Sequence, residues 1–541
     1  MIFQFLDEAS NASNARVCKQ WSELALDTLW KEVSDLHRLF SLLSPLESMT
    51  GGQWAFARPL ESSDWRRFER YRRRIRSLSY RTSDAARVLH QSVFDDIARS
   101  RTSLDILPSL HSLEWDAPLH LCVIFMHKTV KSFAFRLSED TPGVNAFFED
   151  TVTRMPNLRD LDIRLNFSIR SIERPTIMLL SSLSRLQKLT LPRFCLTTKI
   201  AESLSRLQNL ECIEFQYFER QGRGEPDDIV DFRPSLTEGS FPSLWDLSIT
   251  VSFTDAIRFF NASFAPANLT SLYLDSSITE TPADVLNLIT VVAENCQLLK
   301  ALGLVSSVDA STVATEPPDR DDCITIDTLR PLLKCPNLTS FDLVHHYPLH
   351  LEQTNIEEIA SSWPGLETLV LNNEPAYLDH ASLTLRSLLP FARHCPKLRK
   401  LGLFLNATTA DLAPSTDRAS SYEHPPFRAL RRLSMGVSNI HDAGAVALFL
   451  SEICPLQCTI DCGVTWDDSI TVASEIVEAI QRRCEKWEKV VEHLPMLTKL
   501  RMEERERARR LKEEVEDLRI RTGVLMDKAV VGSASDGCVA I

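Results

Sequence analysis

"CPNLTSFDL", residues Cys335–Leu343, decides the fold. Its apolar residues Leu338, Phe341 and Leu343 follow L-x-x-L-x-L spacing behind a Pro-x-Leu lead-in. The template recurs in WPGLETLVL (Trp363–Leu371), CPKLRKLGL (Cys395–Leu403) and FPSLWDLSI (Phe241–Ile249). Looser copies are MPNLRDLDI from Met155, RLQKLTL from Arg185, NLECIEF from Asn209, NLTSLYL from Asn268, LLKALGL from Leu298 and ALRRLSM from Ala429. Weaker ones begin at Ile75, Leu110 and Val130. The first apolar positions are 75, 110, 130, 158, 186, 210, 244, 269, 299, 338, 366, 398 and 430, a mean step of about 30 residues.

Each copy supplies one short strand whose alternate residues point inward. One strand and its return segment cannot bury an apolar face alone, whereas stacked copies can. The spacing is that of the leucine-rich repeat, with loop insertions stretching the period. The expected fold class is therefore α/β: a leucine-rich-repeat solenoid with a parallel sheet on the concave face and helices outside. Segments such as TNIEEIASSWP and TLRSLLPFARHCP read as the return helices, each stopped by proline. Cys296, Cys335, Cys395 and Cys454 end such helices and read as core, since a small thiol packs well there. Cys458 and Cys462 have no histidine partners at zinc spacing, so no metal and no cofactor are expected.

The totals narrow the function. Lys+Arg is 60 against Asp+Glu 73, a net charge of -13, which disfavours a nucleic-acid partner. Thirteen cysteines without CxxC pairs, and an N-terminus without a basic n-region or a long apolar core, point to a reducing compartment, cytoplasmic and/or nuclear. There is no GxGxxG, GxxxxGK[ST], HExxH or GxSxG, and only 15 glycines, so no enzyme is expected. The pair His345-His346 reads as a solvated loop. Three inserts, at 223–240, 309–322 and 406–426, carry Pro, Ser, Thr and Asp and read as exposed, mobile spacers.

By period-two alternation the residues flanking the second leucine leave the concave face. Early copies place Asp160, Asp162, Glu214 and Asp246 there. Late copies place Lys400 and Arg432, with Arg399 and Arg431 beside them. Neighbouring strands lie about 4.8 Å apart, so the four cations form a candidate substrate patch, suited to an acidic or phosphorylated peptide.

The N-terminus is different in kind. In NARVCKQWSELALDTLW (Asn14–Trp30), Val17, Trp21, Leu24 and Leu29 share an apolar stripe against Arg16, Lys19, Gln20 and Glu23. About 45 residues build little core of their own, so the segment docks on a partner or covers the end of the solenoid. Its "F-L-D … ARVCKQWSELALDTLW" resembles an F-box, whose typical core is V-C-[KR]-x-W. The match covers about residues 2–45, and DWRRFERYRRRIRSL (Asp64–Leu78) looks like the link to the repeats in fungal F-box proteins. The resemblance implies a helical module that docks on the Skp adaptor of cullin-based (SCF) ubiquitin ligases while the repeats hold a protein substrate. It assigns Phe5, Leu6, Val17, Cys18, Trp21 and Leu24 to the adaptor surface. The family's opening Leu-Pro is not in this sequence, and the module reads as N-terminally incomplete. A repeat scaffold unconnected to ubiquitination is the other reading.

The expected division is 1–45 for the F-box-like module, 46–74 for a connecting helix and linker, and 75–465 for the solenoid. Residues 466–525 are a C-terminal helical cap and charged helix, and 526–541 a disordered tail. Ala508, Leu511, Val515, Leu518 and Leu525 fit part of a heptad seam interrupted by Thr522, and a solvated single helix is expected there. The terminal CVAI fits C-a-a-X, so Cys538 is a candidate lipidation site, and membrane contact is expected only through it.

Overall fold

All thirteen copies are strands, and each strand begins two residues after the first apolar position of its copy: Ser77, Ser112, Ser132, Asp160, Lys188, Cys212, Asp246, Ser271, Ala301, Ser340, Thr368, Lys400 and Arg432. This computed structural model describes residues 2–306, 319, 322–408, 425–464 and 474–535. The chain divides into two compact units, Met1–Glu280 with Asn287–Val305, and Thr281–Leu286 with Ser306–Ile541.

In the first unit the strands pair in parallel in chain order, and their buried positions line up. Leu78 faces Leu113, then Phe133, Leu161, Leu189, Ile213, Leu247 and Leu272. These side chains are at most 2% exposed and form the core stack. In the second unit Phe341, Leu369, Leu401, Leu433 and Ile460 repeat the arrangement. One backbone device fixes the register. The carbonyl just before a strand accepts two N–H groups from the next repeat, as Arg159 does from Gln187 (2.7 Å) and Lys188 (2.9 Å). The equivalent carbonyl of Arg399 takes Arg431 (2.8 Å) and Arg432 (2.9 Å). A slip by one residue would turn every core leucine outward, so this clamp and the apolar pattern specify the same pairing.

The N-terminal end of the repeat run differs from the sequence reading. Glu32–Val33, inside the expected 1–45 module, is already a strand and pairs in parallel with Ser77–Leu78. Two residues are too short to show alternation, and they are recruited because the edge of Ser77–Arg81 offers unpaired backbone groups. The expected linker 46–74 holds a hairpin, Leu46–Ser48 with Trp54–Phe56, before the helix Asp64–Arg72. At the other end Thr459–Cys462 adds a strand beside Arg432–Gly436. There Gly436 sits at φ 49°, and a Cβ on it would lie 1.9 Å from the Asn373 carbonyl oxygen, so only glycine fits.

The C-terminal helix runs from Ser474 to Ser535, through residues 526–535 that the sequence assigned to a tail. Their composition (MDKAVVGSAS) gives little helix propensity, but adding residues to an existing helix is far easier than starting one. Its first half caps the second unit. Ile480, Trp487, Val490, Leu494 and Thr498 lie on one buried stripe at helical spacing. The Trp487 indole donates to the Ser438 carbonyl (2.9 Å), Lys486 to Ile440 (3.0 Å), and Arg483 to Leu378 (2.9 Å) and Val437 (2.7 Å). These bonds tie the helix to backbone carbonyls in the segments that follow the strands Thr368–Leu371 and Arg432–Gly436.

Candidate functional site

The N-terminal segment builds an apolar surface from three short elements. A 3-10 turn at Ile2–Phe5 leads to the helix Glu8–Asn14, capped by Asp7, and then to the helix Lys19–Leu29. Cys18 is the N-cap of the second helix, its sulfur accepting from the Trp21 N–H at 3.5 Å. Buried Asn11 donates to the carbonyls of Phe3 (2.8 Å) and Leu6 (3.2 Å), fixing the turn against the first helix. The Phe3 ring meets Trp21 edge-on at 5.7 Å.

This surface faces solvent. Phe5 is 88% exposed, Val17 63%, Leu24 51%, Trp21 45% and Leu6 37%, and Cys18 is exposed too. The opposite face is anchored. Trp30 is buried against Tyr71 at 5.0 Å, and Glu23 and Asp27 both pair with Arg74, whose side chain is only 11% exposed. The Arg74 hydrogen bond holds the Glu23 carboxyl below its ordinary range. The six residues assigned to the adaptor surface therefore lie on one short segment with their apolar groups exposed. A segment used only as an end cap would bury them.

The charged sheet residues are more compensated than their spacing suggests. In the first unit Asp160 stands opposite Lys188, and Lys188 bridges Glu214 at 2.8 Å. Asp162 takes Arg164 at 2.7 Å, and the Cys212 thiol donates to Asp246 at 3.5 Å. Next to them Glu114 accepts from Arg164 (2.6 Å), Arg81 (2.7 Å) and Ser79 (2.9 Å). Burial alone would raise this carboxyl, but those donors outweigh it and bring it down to about 2. A carboxyl lowered in the fold stabilises above its unfolded value, and that stability is lost as pH falls from about 5 towards about 2. The stability gap between the native chain and Glu114→Gln is expected to be about 2–3 kcal/mol at pH 7 and to close by about pH 2. Urea unfolding across that range measures it, and a gap independent of pH would refute it.

In the second unit Lys400 and Arg432 are register partners. Arg432 pairs with Asp461 (3.0 Å) and Arg399 with Glu367 (3.7 Å), while Arg431 and Arg399 are joined through their backbones. The four cations thus sit on adjacent repeats with acidic partners for two of them. Asp342 lies close to Lys400. Burial pushes its carboxyl up to about 6, and Lys400 only partly offsets this.

Two features escaped the sequence reading. His345 and His346 are 1% and 5% exposed, not solvated, because neighbouring repeats cover the ends of these strands. Burial lowers the His346 ring below its ordinary value. The insert before Phe241 is no mobile spacer either. Gln221, Asp228, Ile229 and Phe232 are buried, with Asp228 accepting from Ser168 (2.7 Å) and the Ile169 N–H (2.9 Å). Gln221 donates to Asp162 (3.1 Å) and the Ile163 carbonyl (3.0 Å). Beside this insert Asp275, fully buried, pairs with Arg193 at 2.6 Å, and the Arg193 guanidinium stacks over Phe194 and Tyr217. Apolar residues punctuating a polar loop, Ile229 and Phe232, were the available signal. Cys538 and most of the inserts at 309–322 and 406–426 lie outside the described residues.

Residues 1–35 match the family model described as F-box-like. No curated protein matches the chain. Among solved structures the chain is similar to one in the crystal structure of the TLR13–ssRNA13 complex, at 16% identity and a TM-score of 0.32. That match covers 69% of this chain and 44% of the other, so this chain spans less than half its length. A second similarity is to the crystal structure of the Rad7 and Elc1 complex in yeast, at 14% identity and a TM-score of 0.27, covering 66% of this chain and 82% of the other.

Proposed function

We propose that this protein is the substrate-recognition subunit of an SCF-type cullin ubiquitin ligase, active in the cytoplasm and/or nucleus. The observation that carries the reading is the exposed apolar face of Phe5, Leu6, Val17, Trp21 and Leu24, on a segment that matches the F-box-like model. The Skp adaptor would cover that face and link the chain to the cullin. The repeats would hold the protein substrate, and other subunits would perform the transfer, so the chain itself needs no catalytic group and no cofactor. The direct test is co-elution of the purified chain with the purified Skp adaptor, then with the cullin. An adaptor that elutes alone would sink the proposal and leave a repeat scaffold.

The substrate side is proposed at Lys400 and Arg432, with Arg399 and Arg431 beside them. Because Asp461 and Glu367 already neutralise part of this charge, the pull on an acidic or phosphorylated segment is modest. Reversing charge at both Lys400 and Arg432 is expected to weaken binding of an acidic substrate about ten-fold and to flatten its salt dependence. Calorimetry at two ionic strengths checks this, and affinity indifferent to both changes would make the patch ordinary surface.

A further inference from the structure

The C-terminal helix has two halves of different character. Up to about Arg505 it is held to the second unit, where Arg501 pairs with Glu452 (2.9 Å) and Arg505 donates to the Glu452 carbonyl (3.0 Å). From Arg507 to Met526 every side chain is exposed. This stretch nevertheless carries a row of apolar residues on one face: Leu511 (56% exposed), Val515 (48%), Leu518 (53%) and Leu525 (66%). The steps of four, three and seven residues are those of a coiled-coil seam, with Ala508 and Thr522 in the remaining places. A solvated helix gains nothing from such a row, whereas a second helix laid along it would bury the leucines.

The charges say which second helix. Positions flanking the seam are Arg505, Arg507, Lys512, Arg519 and Arg521, with Glu514 the one acid among them. The outer positions of the same stretch hold Glu503, Glu506, Glu513, Glu516 and Asp517 against Arg509 and Arg510, followed by the exposed Ile520 and Val524. The helix is therefore basic beside its seam and acidic on its back, in a chain whose net charge is -13. Arg519 and Arg521 rest on Glu516 (3.6 Å) and Asp517 (2.8 Å) of their own helix. Such exposed pairs contribute little and exchange readily. Two copies of this chain set seam to seam would bring like charges together along both flanks if antiparallel, and if parallel would set Arg507 against Lys512 with only Glu514 and Arg519 opposed in sign.

We propose that residues 507–526 are a docking helix for a partner helix that has a leucine seam of its own and glutamate or aspartate on both flanks. Flanking charge sets partner choice in paired helices, and about three heptads give a moderate, reversible affinity. Nothing in this proposal depends on the adaptor reading, since it uses a different part of the chain.

The test uses the full chain and three labelled synthetic 28-residue peptides, the first two a matched pair. Both of these have Ile and Leu on the seam, and they differ only in carrying Glu or Lys at every flanking position. Fluorescence anisotropy is expected to show the Glu peptide binding at least ten-fold more tightly than the Lys peptide, and more weakly at higher salt. Leu511→Lys with Leu518→Lys is expected to lose at least ten-fold, and both residues are exposed, so folding is not at risk. A Glu peptide with serine in place of its seam is expected not to bind. Equal binding of all three peptides, or none, would overturn the proposal. So would light scattering that gives a dimer of the chain which the double variant dissolves, because the seam would then belong to a second copy.

Discussion

Trp21→Ala combined with Leu24→Ala is expected to weaken Skp adaptor binding about a thousand-fold while shifting the melting temperature by no more than about 2 °C. Large aromatic and aliphatic anchors at the centre of an interface carry about 2 kcal/mol or more each, and 1.4 kcal/mol is a factor of ten. Both side chains are about half exposed in the free chain, so truncation opens no cavity. The fold survives because Trp30, Arg74 and Tyr71 hold the module from the other side. Calorimetric titration with the adaptor and a thermal melt of the same preparation are both needed. An unchanged affinity would remove the adaptor reading. A collapsed melting temperature would instead show that these residues hold the fold.

Trp487→Ala is expected to destabilise the second unit by about 3–5 kcal/mol, the usual result of deleting a large buried ring. The indole is fully buried, and its N–H satisfies the Ser438 carbonyl at 2.9 Å. Around it Ile480 packs with Phe404 and Val437, so losing the ring loosens the helix from the last repeats. Hydrogen exchange by mass spectrometry reads this locally. Protection should fall by at least 100-fold over residues 474–498 and over the strand Arg432–Gly436, and stay unchanged in the strands from Ser77 to Glu214. Uniform loss across both units, or no loss, would contradict the capping role.

The repeat was legible because its signal is summed over many copies. One L-x-x-L-x-L is ambiguous, but thirteen of them located thirteen strands, each starting two residues after its first apolar position. Glu32–Val33 and the folded insert were not legible, for a common reason. Both are ordered by what lies beside them in space and not by their own pattern. Asp228 reads as a loop aspartate until Ser168 and Ile169 are seen to need an acceptor. The histidine pair failed the same way, since polarity in the sequence does not reveal which repeats close over it. For the candidate sites the sequence picked out side chains that lie exposed on the N-terminal face. On the sheet it found the cations but not their counter-charges, because Asp461 and Glu367 belong to other repeats.

The strand Glu32–Val33 has a mechanical consequence. Because it pairs with Ser77–Leu78, the N-terminal helical segment is joined to the first rung of the repeats by backbone pairing. If an adaptor docks on that segment, the direction in which the first unit points away from it is set by backbone geometry, like a bracket welded to a beam. Such a receptor would hold its cargo at a constant bearing, and any reach needed to meet different acceptor lysines would have to come from the cargo or from other subunits. The same joint makes truncation hazardous. Removing residues 1–45 would leave the edge of Ser77–Arg81 bare, and a bare strand edge recruits other chains.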